Sequence, residues 1–202
     1  MPTVVIPFAG VEGKTRLHAS ERARRELSLA MLGDVLAAAA AVGSERVVTV
    51  DPEGAAIARG LGAGVVVDPG GGQGPAVAVA LVGLDPGPIL VVNADLPCVV
   101  PADLRALLAA TPAGGMAIVE ALDGTTNALG LSAPEAFAPL YGPGSASRFR
   151  ARADELGVGA VSAAIPNLAD DVDTLDDLHR LQHRCGPRTQ ACLDDLLVGV
   201  TQ

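Results

Sequence analysis

The stretch from Ile89 to Pro97 restricts the fold of this chain more than any other part of the sequence. Its first four residues, 89–92, are apolar and mostly branched, which is typical of a strand buried on both faces of a parallel sheet. Asn93 and Asp95 follow at the point where that strand would leave the sheet. Ligands of open α/β sheets bind beyond the carboxyl ends of the strands, so Asp95 is well placed to hold Mg²⁺ and a phosphate. Taken alone, such an aspartate is more often a turn or helix-capping residue.

Strand-like and helix-like segments alternate through most of the chain. Strands are predicted at 3–7, 46–50, 64–68, 89–92, 116–119, 128–131 and 160–165, and helices at 20–42, 54–61, 76–82, 102–110 and 134–140, at 148–152 and through Leu178 and Leu181. This alternation indicates parallel βαβ units. We predict one α/β domain over residues 1–184, with a mixed, mainly parallel central sheet flanked by helices, and a tail at 185–202 that forms a short helix.

Composition narrows the class of protein and its partners. The 202 residues carry a net charge of −9, which argues against nucleic acid as a partner because a phosphate backbone requires a basic face. No uncharged apolar stretch reaches the length of a membrane span, and a strand begins directly at the N-terminus, so we expect no signal peptide and no membrane. Three cysteines without metal-site spacing suit a reducing compartment. We therefore expect a cytoplasmic protein.

Two cations and a glycine-rich loop are candidates for binding phosphate. Lys14 and Arg16 lie between the first strand and a long helix, where they could meet the phosphates of a nucleotide or simply be solvated charges. The segment is similar to a P-loop, but residue 9 is alanine where that motif requires glycine, so we reject a P-loop. The run from Gly70 to Gly74 could bring backbone N–H groups close to a phosphate or a base, and a flexible surface loop explains it equally well.

Aspartates that follow different segments are the stronger signal. Asp95 on one side and Asp171 and Asp173 on the other could converge on one divalent cation, as phosphoryl chemistry requires. A solvated acidic turn that caps the next helix is the alternative for 170–177. Two further loops, 124–127 and 142–145, offer hydroxyl and backbone donors that could bind a second anion together with Arg148, although each loop alone is more commonly an ordinary turn.

The order of these motifs resembles the guanylyltransferases of coenzyme F-420 biosynthesis, which act on 2-phospho-L-lactate or phosphoenolpyruvate. The resemblance extends from about Val4 to Leu181. It rests on five segments in order: Gly13–Leu17, Asn93–Pro97, Gly124–Leu129, Tyr141–Ser145 and Asp171–Thr174 with Asp177 and Leu178.

The resemblance implies a nucleotide-diphospho-sugar transferase, glycosyltransferase-A-like fold and a site that uses Mg²⁺. It implies transfer of GMP from GTP to the phosphate of a small phosphorylated carboxylic acid, with phosphoenolpyruvate favoured over 2-phospholactate by the Ala-, Gly- and Arg-rich composition. The oligomeric state is not fixed, and a homodimer stays an open option. The implied residues are catalytic Lys14, Arg16 and Asp95, nucleotide-binding Gly72, Gly74 and Asn93, acceptor-binding Thr126, Gly142, Ser145 and Arg148, and metal-binding Asp95, Asp171 and Asp173.

Two departures from the family pattern bear on substrate contacts. Gln73 stands within a segment that usually reads Gly-Leu-Asn, which affects the nucleotide side, and Phe149 stands where a histidine is usual, which affects the acceptor side. Two alternatives therefore stay open. One is a nucleotidyltransferase of the same fold acting on a sugar phosphate, an alcohol phosphate or a molybdopterin, and the other is a nucleotide-binding regulator without turnover.

Overall fold

A computed structural model describes residues 1–10 and 19–200 of the chain, with side chains through residue 195. The strands in this part are β1 (Thr3–Pro7), β2 (Ser44–Val48), β3 (Gly64–Val66), β4 (Ile89–Val92), β5 (Met116–Glu120), β6 (Thr126–Leu131) and β7 (Ala160–Ser162). The helices are α1 (Glu21–Ala40), α2 (Pro52–Gly60), α3 (Gln73–Leu81), α4 (Pro101–Ala110), α5 (Ser145–Leu156), α6 (Pro166–Ala169), α7 (Leu175–Leu181) and α8 (Pro187–Val200).

The strands form one mixed sheet in the order β3-β2-β1-β4-β6-β5-β7. Strands β3, β2, β1 and β4 are parallel, and β7 is parallel to β5. Only β6 among the described strands runs antiparallel to its neighbours, pairing Val92 of β4 with Ala128. The sequence-based prediction of a single α/β domain with a mainly parallel sheet is therefore confirmed.

The reversal of β6 decides which residues meet at the functional edge of the sheet. Because β6 is antiparallel to β4, its first residues lie beside the carboxyl end of β4. The backbone N–H of Asn93 donates to the carbonyl of Asn127 at 3.0 Å, which continues the β4–β6 pairing by one residue. The start of β6 thus reaches the same edge as the tips of the parallel strands.

Helices cover both faces of the sheet, because its central strands carry apolar side chains on both faces. In β1 and β4, Val4 and Leu90 join the core under α1, α2 and α4, while Val5 and Val91 join the core under α3 and α5. These strand side chains are at most 1 % exposed, which explains why the strands read as continuous apolar runs. Over residues 1–10 and 19–200, no helix combines the length and apolar character needed to cross a bilayer.

Several element boundaries differ from the predicted ones. Strand β2 ends at Val48, two residues before the predicted end at Val50, which is 70 % exposed. Strand β6 begins at Thr126 instead of 128 and so includes two residues that we assigned to a loop. The predicted helix 134–140 is a single 3-10 turn, Pro134–Ala136, because Pro139 in the interior of the predicted helix cannot donate the backbone hydrogen bond that a helix needs there.

The C-terminal helix α8 lies within the tail at 185–202, where we predict a short helix, and packs along α1. A buried carboxylate fixes its start: Asp34 of α1 accepts hydrogen bonds from the backbone N–H groups of Arg188 (3.1 Å) and Thr189 (2.8 Å). Gly186 allows this contact, because a Cβ there would lie 2.4 Å from the carboxyl carbon of Asp34. Asp34 therefore caps a helix that begins more than 150 residues later in the chain.

Candidate metal and nucleotide site

Three carboxylates converge at the carboxyl end of β4. Asp95 follows that strand, whereas Asp171 and Asp173 lie in the irregular segment between α6 and α7. One oxygen from each of the three side chains lies within 4.8 Å of the others. The backbone joins the two segments as well, since the N–H of Val172 donates to the carbonyl of Asp95 at 3.2 Å. The structure thus brings together the three aspartates that we predicted as metal ligands.

The electrostatics of this aspartate cluster favour a cation. Burial, followed by the nearby negative charge of Asp95, raises the pKa of Asp171 to about 6. Such a shift means that the ionised carboxylates repel one another in a poorly solvated place. A hard divalent cation with oxygen ligands would relieve this repulsion, so the donor set fits Mg²⁺, and Asp95, Asp171 and Asp173 are the residues that would hold it.

A pH prediction follows for the protein kept free of metal by EDTA. The folded-state pKa of Asp171, about 6, lies above the ordinary value of 3.8, so the folded state binds a proton more tightly than the unfolded chain between these values. This contribution is fully present below pH ~4 and is lost as the pH rises through ~6. Urea unfolding should therefore show the free energy of unfolding of wild type falling relative to that of Asp171→Asn across this window, by at most about 2 kcal/mol because the side chain is partly solvated. A pH-independent difference would contradict the assigned repulsion.

Asn127 is a site residue that sequence reasoning missed. Its side-chain amide donates to Asp171 Oδ1 (3.3 Å) and to the carbonyl of Ala169 (3.2 Å) and accepts from Asn93 Nδ2 (3.4 Å). Asn93 Oδ1 in turn accepts from Gln73 Nε2 at 2.6 Å. We had placed Asn127 in a polar loop. The signal that could have identified it was the apolar run that follows directly, which marks a strand start.

A pocket of about 200 Å³ adjoins the aspartate cluster at the same edge of the sheet. Its walls come from the end of β1, from α1, from the loop before α3 and from the tip of β4; they are residues 7–10, Ser28, Met31, Asp68, Gly72, Gln73, Ala76 and 93–95. Asn93 and Gly72, which we predicted to contact nucleotide, both line it. The pocket therefore connects the predicted nucleotide contacts with Asp95.

The glycine-rich loop has a conformation that explains its composition. Gly70, Gly71 and Gly72 have φ values of 79°, 85° and 95°, a region that other residues adopt only with strain. Gly72 is also the residue before the first turn of α3. By contrast, Gly74 lies inside α3, where a Cβ would approach Pro139 to 2.8 Å. Gly74 is needed for packing, and its predicted nucleotide contact stays a prediction.

The two cations predicted to act on the nucleotide, Lys14 and Arg16, lie outside the described residues. The segments that flank them are described: Gly10 follows β1 and lines the pocket, and α1 begins at Glu21 after the capping residue Ser20. The roles of Lys14 and Arg16 stay predictions.

The residues predicted to bind the acceptor lie at the starts of β6 and α5. The hydroxyl groups of Thr126 and Ser145 are hydrogen-bonded to each other at 3.0 Å, and both side chains are buried. Gly142 has a φ of 108° in the loop before α5. The structure thus brings Thr126, Gly142 and Ser145 together across two elements, and their contact with the acceptor stays a prediction.

Arg148 supports the loop before α5. Its guanidinium donates to the backbone carbonyls of Leu140 (3.0 and 2.8 Å), Tyr141 (2.9 Å) and Pro143 (2.6 Å). Arg150 is paired with Glu120 and also donates to Ser162 Oγ. Since the guanidinium of Arg148 is engaged with backbone carbonyls, the structure gives no support to its use as a cation for the acceptor, and that contact stays a prediction.

Phe149 lies in the core and does not face a ligand. Its side chain is 0 % exposed and meets the ring of Tyr141 edge to face, with centroids 5.3 Å apart. An aromatic side chain here contributes apolar burial. The departure at this position therefore concerns core packing, and the expected effect on the acceptor side is not seen in its placement.

Comparison with known proteins agrees with this geometry. The family described as "Guanylyl transferase CofC like" matches residues 2–201. The chain is 37 % identical over 214 residues to a phosphoenolpyruvate guanylyltransferase of Streptomyces scabiei, covering 97 % of each protein. It is 38 % identical over 190 residues to an enzyme of the same name from Roseiflexus castenholzii, covering 89 % of each.

Solved structures show the same fold at lower identity. A protein from Desulfovibrio desulfuricans G20 described as a nucleotide-diphospho-sugar transferase superposes with a TM-score of 0.75 at 17 % identity, covering 96 % of this chain and 95 % of that one. A nucleotidyl transferase from Methanothermobacter thermautotrophicus superposes with a TM-score of 0.68 at 22 % identity, covering 91 % and 96 %. The family match over nearly all of the chain and the two relatives above one-third identity show that this protein belongs to the CofC-like guanylyl transferase family.

Proposed function

We propose that this protein transfers GMP from GTP to the phosphate of phosphoenolpyruvate and releases diphosphate, as a step of coenzyme F-420 biosynthesis. The observation that carries the proposal is the aspartate cluster beside a pocket that two of the predicted nucleotide contacts, Gly72 and Asn93, line. Relatives aligned over most of the chain are named phosphoenolpyruvate guanylyltransferase, which supports the same acceptor. A sugar-phosphate or molybdopterin transferase is not favoured by these names, and neither is a regulator without turnover.

In the proposed reaction an oxygen of the acceptor phosphate attacks the α-phosphorus of GTP in line. A new P–O bond forms as the bond between the α-phosphorus and the oxygen bridging to the β-phosphorus breaks, and that oxygen leaves with the diphosphate. The attacking phosphate is already ionised at neutral pH, so the chain has no proton to remove. Among the described residues, the lining of the pocket includes no histidine, and the proposed reaction requires none.

The chain's part in this reaction is positioning and charge stabilisation. Asp95, Asp171 and Asp173 would hold Mg²⁺, which when bound would neutralise charge at the phosphate oxygens. Gly72 and Asn93 line the pocket and are proposed to contact the nucleotide there, and Lys14 and Arg16 are proposed to meet its phosphates. We assign the acceptor to the side of Thr126, Gly142 and Ser145.

An experiment on acceptor choice tests this proposal. Phosphoenolpyruvate and 2-phospho-L-lactate, at equal concentrations, compete for limiting enzyme with GTP and Mg²⁺, and the products are separated by mass spectrometry. We expect the phosphoenolpyruvate adduct to dominate. A majority of the phospholactate adduct would overturn the acceptor, and inertness toward both acids would overturn the proposed function. The cytoplasmic location and a homodimer stay predictions that this experiment does not address.

A further inference from the structure

We propose that Asn127 is a positioning residue that orients the carboxylate of Asp171 for the divalent cation. The inference rests on the proposed metal role of the aspartate cluster. It goes beyond that role because Asn127 would act through Asp171 and would not itself contact the ion or the substrate. The side-chain amide of Asn127, at the start of β6, is hydrogen-bonded both to Asp171 of the cluster and to Asn93 of the pocket wall.

The first argument is that every polar atom of this amide is committed. Its two N–H groups donate to Asp171 and to the carbonyl of Ala169, and its oxygen accepts from Asn93. The backbone carbonyl of the same residue accepts from the N–H of Asn93. The side chain is 1 % exposed, so water competes little for these bonds. Such an amide has a single favourable orientation and transmits it to its partner.

The second argument is that Asp171 needs an external guide. It lies in an irregular segment between α6 and α7, where no regular structure fixes its side chain. Asn127 sits at the start of β6, a strand paired on both sides. The hydrogen bond from Asn127 engages Oδ1 of Asp171 and leaves Oδ2 free of this donor. A rigid strand thus sets the rotation of a carboxylate held on a loop.

The third argument concerns the chemical type of the residue. A lysine or arginine at position 127 would neutralise Asp171 and compete with the cation. A neutral amide orients the carboxylate while leaving its negative charge available, as the partners of metal-ligating groups commonly do. The same amide is linked through Asn93 to Gln73 in the pocket. One chain of hydrogen bonds therefore orients both the metal-binding Asp171 and the wall of the pocket.

The test measures Mn²⁺ binding by electron paramagnetic resonance, without nucleotide, in wild type and in Asn127→Ala. Loss of an outer partner of this kind typically weakens metal binding by about 10- to 100-fold, and we expect a rise in the Mn²⁺ dissociation constant of that size. The matched control is Asn167→Ala on α6, because Asn167 also donates to a carboxylate, Asp103 Oδ2 at 3.0 Å, outside the cluster. The control should stay within about twofold of wild type.

Each outcome decides the matter. Unchanged Mn²⁺ affinity in folded Asn127→Ala would overturn the positioning role while leaving the metal site intact. Wild type that binds no Mn²⁺ would overturn the metal site itself and the inference with it. If Asn127→Ala does not fold, Asn127→Ser is measured instead: its hydroxyl is about one bond too short to reach Asp171, so the same loss is expected and normal affinity would refute the role.

Discussion

Asn in place of Asp95 or Asp173 is expected to lower the rate of diphosphate release from GTP by about 1,000-fold. Each carboxylate contributes one of three oxygens that lie within 4.8 Å of one another, and loss of a metal ligand removes several kcal/mol of transition-state stabilisation, where about 1.4 kcal/mol is a factor of ten. The rate of diphosphate release at saturating GTP and phosphoenolpyruvate is the measurement.

The stability of the same variants should not fall in EDTA, because each substitution removes one of the mutually repelling charges. Asp176→Asn is the matched control: this residue lies in the first turn of α7, close in sequence to Asp173 but exposed and outside the cluster. It should keep the wild-type rate. Wild-type turnover in Asp95→Asn and Asp173→Asn would show that the cluster does not hold the catalytic metal.

Alanine in place of Asp34 is expected to lower the free energy of unfolding by about 3 kcal/mol. The substitution removes the acceptor for the N–H groups of Arg188 and Thr189 and leaves one partly buried and one buried donor without a partner, at about 1–3 kcal/mol for a buried group. For a chain of this size, the change corresponds to a decrease in Tm of about 10 °C. Thermal unfolding followed by circular dichroism measures it.

Asp194→Ala provides the control for the loss of a carboxylate in this region. Asp194 is exposed on α8 and accepts a hydrogen bond from Gln190 within that helix, so its loss should change the stability by less than about 0.5 kcal/mol. Asp34→Asn, which keeps one acceptor oxygen, should fall between the two. An Asp34→Ala variant as stable as wild type would show that α8 does not depend on its cap.

Most of the fold could be predicted from the sequence, because the buried strands appear in it as continuous apolar runs. Residues 89–92 are buried on both faces, and this burial leaves an apolar run that can be read without a structure. The antiparallel direction of β6 could not be predicted in this way, because an apolar run does not show in which direction a strand pairs. Thr126 and Asn127 are predicted in a loop because they are polar and follow Gly124, although they begin a strand and lie at the functional edge.

The parts of the site that depend on the type of a residue could be predicted, whereas the parts that depend on contacts between distant segments could not. Aspartates after strand ends are conspicuous in the sequence, and Asp95, Asp171 and Asp173 do converge. The capping role of Asp34 and the packing of Gly74 against Pro139 join distant segments, so no local pattern announces them. Arg148 is the opposite case: its residue type suggested an anion-binding role, but its guanidinium donates to backbone carbonyls.

The transfer reaction itself tests the central claim most directly. The protein is mixed with GTP, phosphoenolpyruvate and Mg²⁺, and diphosphate is measured together with the mass of the guanylylated product, with parallel reactions that lack phosphoenolpyruvate or contain EDTA. We expect one diphosphate for each molecule of enolpyruvyl-diphospho-guanosine formed, and neither product in the two parallel reactions. Diphosphate release that does not require the acceptor, or an undiminished yield in EDTA, would contradict the account.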